Sequence, residues 1–196
     1  MLISILKRIV RYEIAGYTDI EDKGEILGVR WLGNDSIVSS LFNKGITNAV
    51  MGIGQIKNSD SRKKAVKYLK SSGMNFPVII SPNTIIGEDV SFGEGTVVFD
   101  GAIIHPGTKI GDFGIINTSA VIEHDCIIGD FAHVAPGAVL NGGVRLGDNC
   151  LVGSNATIIQ YKNICNDCII AAGAVVTDDI KEKGTYTGVP AKIIIV

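Results

Sequence analysis

From Ile80 onward the chain carries an aliphatic or aromatic residue at every sixth position: Ile80, Ile86, Phe92, Val98, Ile104, Ile110, Ile116, Ile122, Ile128, Val134, Leu140, Leu146, Val152, Ile158, Ile164, Ile170 and Val176. Two residues before most of them stands a small side chain, among them Thr96, Ala102, Thr108, Gly114, Ala120, Cys126, Ala132, Ala138, Cys150, Ala156, Cys168 and Ala174. Six fits neither the period of a helix, about 3.6, nor that of an isolated strand, about 2, so it is a solenoid period. Each unit makes one short strand; the aliphatic residue and the small one point inward, and the residue between them points out. Three units close a triangular coil. Stacked about 4.8 Å apart, such coils align inward residues eighteen positions apart into buried ladders. Gly87, Gly93, Gly111, Gly129, Gly147 and Gly153 follow ladder positions, where the turning chain is expected to need glycine.

Before Ile80 the pattern changes. "LISILKRI" has helical spacing, "YEIAGYTDI" reads as a strand ending in an acid, and "NDSIVSSLFNKG" as a capped helix. "ITNAVMGIG" reads as a strand running into Gly52 and Gly54, and "SRKKAVKYLKSSG" as a helix stopped by Gly73, its basic run a solvated face. Alternating helix and strand predicts a small α/β domain of Rossmann type. The division expected is 1–77 for that domain, 78–180 for the repeat and 181–196 for an irregular C-terminal tail.

Composition removes several function classes. A net charge of -2 gives no basic excess for nucleic acid or an anionic membrane. No apolar run approaches the roughly 20 residues of a membrane span. "MLISILKRIV" has Lys7 and Arg8 inside its apolar stretch and no small-residue cleavage site after it, which predicts a cytoplasmic protein.

The chain has three histidines. In the ladder register Ala132 and Val134 point inward, so His133 points out; His124, between Glu123 and Asp125, lies two past Ile122 at a turn. Both are expected on the surface. Nine residues is half a coil, so they fall on roughly opposite sides of one prism and could share a site only across a subunit interface. His105, in "IIHPGT", reads as structural. Cys165 and Cys168 form a CxxC, but Cys168 shares the small inward register with Cys126 and Cys150, which predicts packing. No second pair completes a zinc site, and no metal is expected.

The stretches "NTSAVIEHDCIIGDFAHVAPGAVLNGGV" (117–144) and "TGVPAK" (187–192) resemble the bacterial sugar acetyltransferase family that includes sialic acid O-acetyltransferases and UDP-4-amino-sugar N-acetyltransferases. The resemblance implies a Rossmann-like nucleotide-sugar-binding domain followed by a left-handed parallel β-helix, assembled as a homotrimer and using acetyl-CoA as co-substrate. In the family a strand and a Gly-rich loop precede the helix matching "LISILKRI". This sequence begins at that helix, so it is expected to lack both, with its true start upstream. By the resemblance His124 is the general base and Asp125 raises its basicity. His133 contacts acetyl-CoA near the thioester, Gly142 offers a backbone N–H to the oxyanion, and the backbone near Ser154 and Ala172 lines the channel for the CoA arm. Asp19, at the ribose-binding end of its strand by analogy, and Gly54 remain for the nucleotide sugar.

No serine or cysteine stands out as an acyl carrier, which predicts direct transfer. The preferred reaction is N-acetylation of a UDP- or dTDP-linked 4-amino-sugar, with sialic acid O-acetylation as the alternative. Two readings of other classes stand beside it. One is a non-catalytic trimeric scaffold. The other is a trimeric carbonic anhydrase, whose "H-x-C-x-I-G" resembles "HDCIIG" but whose further histidine, five residues earlier, is Ser119 here.

Overall fold

A computed structural model describes residues 1–56 and 59–194. The six-residue pattern becomes seventeen two-residue strands, from Ile79–Ile80 to Val175–Val176. The first fourteen each pair in parallel with the strand eighteen residues on: Ile79 lies opposite Val97, Ile85 opposite Ile103 and Ser91 opposite Lys109. The coils therefore stack into a three-sided parallel prism. Its eight-stranded face begins with Ile79–Ile80, its six-stranded face with Ile85–Ile86 and its five-stranded face with Ser91–Phe92. The tail, expected to be irregular, adds two strands to the eight-stranded face. Thr185–Thr187 pairs in parallel with Ile169–Ile170, and Lys192–Ile194 returns antiparallel to it. Ile195 and Val196 lie outside the described residues.

Ladder residues from Val98 to Val176 are buried, as are the small residues beside them. Ile80, Ile86 and Phe92 are half-buried, because no coil precedes the first one. Small inward residues that carry a donor spend it on a corner carbonyl of the neighbouring coil. Thr96 Oγ1 donates to Gly111 (2.8 Å), Thr108 Oγ1 to Glu123 (3.0 Å), Cys126 Sγ to Asn141 (3.3 Å) and Cys150 Sγ to Cys165 (3.1 Å). These bonds pair hydroxyl and thiol donors that the prism interior would otherwise leave without a partner. Cys126, Cys150 and Cys168 are fully buried, and all four cysteines are free thiols.

The post-ladder glycines are present for a different reason from the one expected. None has a positive φ; the left-handed residues lie two positions on, at Asp89, Gly95, Phe113, Phe131, Asn149 and Asn155. What Gly129 meets is the next coil: a Cβ there would lie 2.6 Å from the backbone nitrogen of Asp148. Close approach of stacked backbones, not turning freedom, excludes a side chain. Asp112, Asp130, Asp148 and Asn166 stack beside this column, each accepting a backbone N–H from the coil before it (2.8–2.9 Å).

The helices before the prism lie close to where the pattern places them. They are α1 (Leu2–Arg8), α2 (Val38–Asn43) and α3 (Asp60–Ser71), the last ending before Gly73 at φ 89. Asn34 caps the short turn Asp35–Ile37 that leads into α2, its side chain accepting from the Ser36 N–H. The strands differ more. The first shortens to β1 (Tyr17–Thr18), parallel to β2 (Trp31–Gly33), and the strand expected in "ITNAVMGIG" is a single parallel bridge from Asn48 to Asn75. Among the described residues this region therefore holds a two-stranded parallel sheet and three helices.

These elements cover the eight-stranded face and the corner beside it. Ile5 and Leu6 of α1 bury the outward residues Ile79 and Val97, while Arg8 pairs with Asp100 at 2.7 Å. Val66 and Leu69 of α3 pack on Phe113, which stacks on Phe131 with centroids 5.0 Å apart. The two other faces differ in character. On the five-stranded face Ser91, Lys109, Ile127, Arg145 and Asn163 point out and are exposed. On the six-stranded face the outward column is Ile85, Ile103, Val121, Val139, Thr157 and Val175, apolar but for one hydroxyl, and it stays partly or fully exposed.

Candidate active site

His124 stands just after the strand Val121–Ile122, at the corner leading from the six-stranded to the five-stranded face. Asp125 follows in the left-handed conformation (φ 58), which turns its carboxylate back on the ring. His124 Nδ1 lies 2.9 Å from Asp125 Oδ2. A carboxylate only accepts, so Nδ1 is the donor in this pair, and in the neutral ring the lone pair belongs to Nε2. Both side chains are exposed, at 53% and 73%, so a substrate can reach them.

The stacking of coils supplies the rest of the corner. Gly107, one coil before Asp125, leaves the room that its carboxylate takes, since a Cβ there would lie 2.6 Å from Oδ1. Gly142, one coil after His124, lies under the imidazole, and a Cβ there would lie 2.5 Å from Nε2. The Gly142 carbonyl accepts from Tyr161, but its N–H has no acceptor among the described residues. At the next corner the equivalent N–H groups of Asp112, Asp130 and Asp148 are each held by a side chain of the following coil. Nearby, His105 Nε2 lies 3.7 Å from Glu123 Oε1.

His133 departs from expectation. It points out from the eight-stranded face, yet it is half-buried beneath residues 51–56. Nδ1 lies 2.9 Å from the Gln55 carbonyl and Nε2 lies 3.2 Å from Asn117 Nδ2. The carbonyl fixes Nδ1 as the donor, which leaves Nε2 to accept from the amide. Burial holds the ring below the usual histidine pKa of 6.5, the Arg62 cation adds to that, and the Gln55 carbonyl opposes both. His124 and His133 occupy different sides of the prism, and the single chain does not bring them together.

Ser154 and Ala172 stack at the corner between the eight-stranded and six-stranded faces, where the Ser154 carbonyl accepts from Gly173 (2.9 Å) and Ala172 is exposed. Asp19 follows β1. Its carboxylate takes Lys23 Nζ at 2.8 Å and the Glu21 N–H at 3.2 Å, and the Lys23 hydrogen bond holds it below the usual carboxylate range. Gly54 is exposed with open space where a Cβ would stand. Sequence reasoning missed Gln55, Asn117 and Arg62. Arg62 belongs to the basic run expected to be solvated, yet it is 1% exposed. Asn117 had a faint signal, sitting two past the register position below His133; Gln55, 78 residues away, had none.

Among the described residues no group of three or more His, Cys, Asp or Glu is placed to hold a metal, and no helix is long and apolar enough to cross a membrane.

Residues 68–175, more than half of the chain, match the family model of the GMPPB C-terminal domain. A mutant of perosamine N-acetyltransferase from Caulobacter crescentus, solved in complex with CoA and GDP-perosamine, is 31% identical. That match covers 92% of this chain and 85% of that one, with a TM-score of 0.86. The chain belongs to the bacterial sugar acetyltransferases of the hexapeptide-repeat, left-handed β-helix type. Two further solved structures have similar folds. The acetyltransferase domain of PglB from Neisseria gonorrhoeae FA1090, in complex with acetyl coenzyme A, is 28% identical over 97% of this chain and 91% of that one, with a TM-score of 0.88. WeeI from Acinetobacter baumannii AYE is 25% identical over 98% and 93%, with a TM-score of 0.83. No curated protein matches the chain.

Proposed function

We propose that this acetyltransferase transfers the acetyl group of acetyl-CoA directly to the amine of a nucleotide-linked 4-amino-sugar, with His124 as general base. The observation that carries the reading is the exposed His124–Asp125 pair seated over Gly142, with Nδ1 held by the carboxylate and, among the described residues, a backbone N–H without an acceptor beside it. As the sugar nitrogen attacks the thioester carbonyl, Nε2 takes the proton that the nitrogen loses. Asp125 holds the proton on Nδ1 and stabilises the imidazolium that forms. The Gly142 N–H is placed to receive the charge that develops on the carbonyl oxygen. Collapse breaks the carbon–sulfur bond, and the departing thiolate takes the proton back from His124. The Caulobacter neighbour, solved with CoA and GDP-perosamine, supports both substrate classes.

The six-stranded face supports a homotrimer. Its exposed apolar column suits burial against another copy. The His124 corner and the Ser154–Ala172 corner flank this one face on opposite edges. Packing three such faces about an axis sets the His124 corner of one copy beside the Ser154–Ala172 corner of the next, with that neighbour's His133 on the cleft side. The CoA arm then runs between subunits. Residues 1–77 form the Rossmann-like nucleotide-sugar half, offering Asp19 and Gly54 to the acceptor; 78–180 form the acyl half, 181–196 the tail, and the enzyme works in the cytoplasm.

His124→Ala tests the base. Its kcat for acetyl transfer should fall about 10²- to 10⁴-fold with little change in KM for acetyl-CoA. Retention of wild-type kcat would remove His124 from the chemistry.

A further inference from the structure

Arg62 is a buried cation, and no carboxylate among the described residues pairs with it. Two neutral acceptors hold it instead: Nη1 donates to Gln55 Oε1 at 3.1 Å and Nη2 to the Phe113 carbonyl at 2.7 Å. Its guanidinium carbon lies 5.7 Å from the centre of the Phe131 ring. Burial pulls its pKa down to about 10, so it stays charged at neutral pH. Its Nε and the Gln55 Nε2 are buried without a partner among the described residues. Such an arrangement costs free energy that an apolar side chain of similar volume would not.

The cost falls where three parts of the fold meet. Arg62 comes from α3, Gln55 from residues 51–56, and Phe113, Phe131 and His133 from the prism. Gln55 joins them, its side chain accepting from Arg62 and its backbone carbonyl from His133 Nδ1 (2.9 Å). Among the charged groups of α3, Arg62 bears on His133, while Lys63 lies over the Phe131 ring at 5.4 Å. A lysine at 62 could not replace the planar fork that spans Gln55 and Phe113.

We infer that Arg62 is a positioning residue for acyl transfer: it pins Gln55 to the prism, fixing the ring of His133 and the course of the exposed Gly52–Gly54 stretch. The inference rests on the acetyltransferase reading, in which His133 faces acetyl-CoA and Gly54 the nucleotide sugar. The charge of Arg62 adds a second, smaller effect to that of burial, disfavouring the protonated His133 ring.

The test uses the full chain as wild type, Arg62→Met and Gln55→Met. It combines steady-state kinetics, thermal unfolding and an NMR titration of the three histidines. In both folded variants kcat should fall roughly ten- to a hundredfold while KM for acetyl-CoA moves little, the size expected when a reacting group is displaced by a fraction of an ångström to an ångström. The His133 pKa should rise in Arg62→Met, because a neighbouring cation has gone. Unchanged kcat in a folded Arg62→Met, or a His133 titration that does not move, overturns the inference. If Arg62→Met does not fold, Gln55→Met decides: a lower kcat supports the role and an unchanged one overturns it. Wild-type chain that acetylates no acceptor defeats the acetyltransferase reading, and the histidine titration then still decides whether Arg62 acts on His133.

Discussion

At the residue scale the corner depends on what glycine leaves out. Gly142 has an ordinary φ, so alanine there suffers no conformational strain, but its methyl would meet His124 Nε2 at 2.5 Å. Gly142→Ala should therefore displace His124, the proposed base, and lower kcat about ten- to a hundredfold while leaving Tm nearly unchanged. Kinetics beside a melting curve check this, and an active variant would place the base elsewhere. His133 is a pH-sensitive residue of the opposite kind. Its folded pKa lies below 6.5, so between 6.5 and that lower value the unfolded chain binds a proton that the folded chain refuses. Stability is then full above about pH 6.5 and falls as pH drops through the window. Melting curves from about pH 7.5 downward should show Tm declining before the carboxylates titrate near pH 4, and His133→Asn should flatten that decline. The wild type holding its Tm throughout would contradict it.

At the scale of elements the prism was legible and the region before it less so, for one physical reason. A ladder repeats the same contact every eighteen residues, so register follows from spacing alone, and each ladder position from Val98 to Val176 is buried as its period requires. The glycine column was placed correctly but explained wrongly, because the approach of the next coil cannot be read from one coil. Gly129→Ala tests this: beside the Asp148 carboxylate, the contacts are backbone atoms of residues 147 and 148 that cannot swing aside, and overpacking should cost about 1–3 kcal/mol in a denaturant titration. A stability equal to wild type would show that the coils can part. Before the prism, "ITNAVMGIG" has the composition of a strand, yet Gln55 is held by Arg62 and His133 and only Asn48 makes a ladder contact. Tertiary side-chain bonds of that kind leave no periodic trace. His124 and Asp125 were legible because adjacent residues at a turn meet by local geometry, whereas the partners of His133 lie 16 and 78 residues away.

At the scale of the whole molecule the three faces divide the work. The eight-stranded face carries the N-terminal region, the five-stranded face is polar but for Ile127, and the six-stranded face is left with its apolar column. Val139→Lys, in the middle of that column, should break the proposed trimer and abolish transfer together. Lys109→Ser on the five-stranded face should change neither. Light scattering beside an activity assay distinguishes these outcomes, and a monomeric Val139→Lys with full activity would show that one chain holds a whole site. The measurement closest to the central claim is release of free thiol from acetyl-CoA by wild type and His124→Ala, with nucleotide-linked 4-amino-sugars and free sialic acid as separate acceptors. Release that depends on one amino-sugar nucleotide and disappears in the variant is the predicted result. Release driven by free sialic acid, release undiminished without His124, or no release with any acceptor would contradict it.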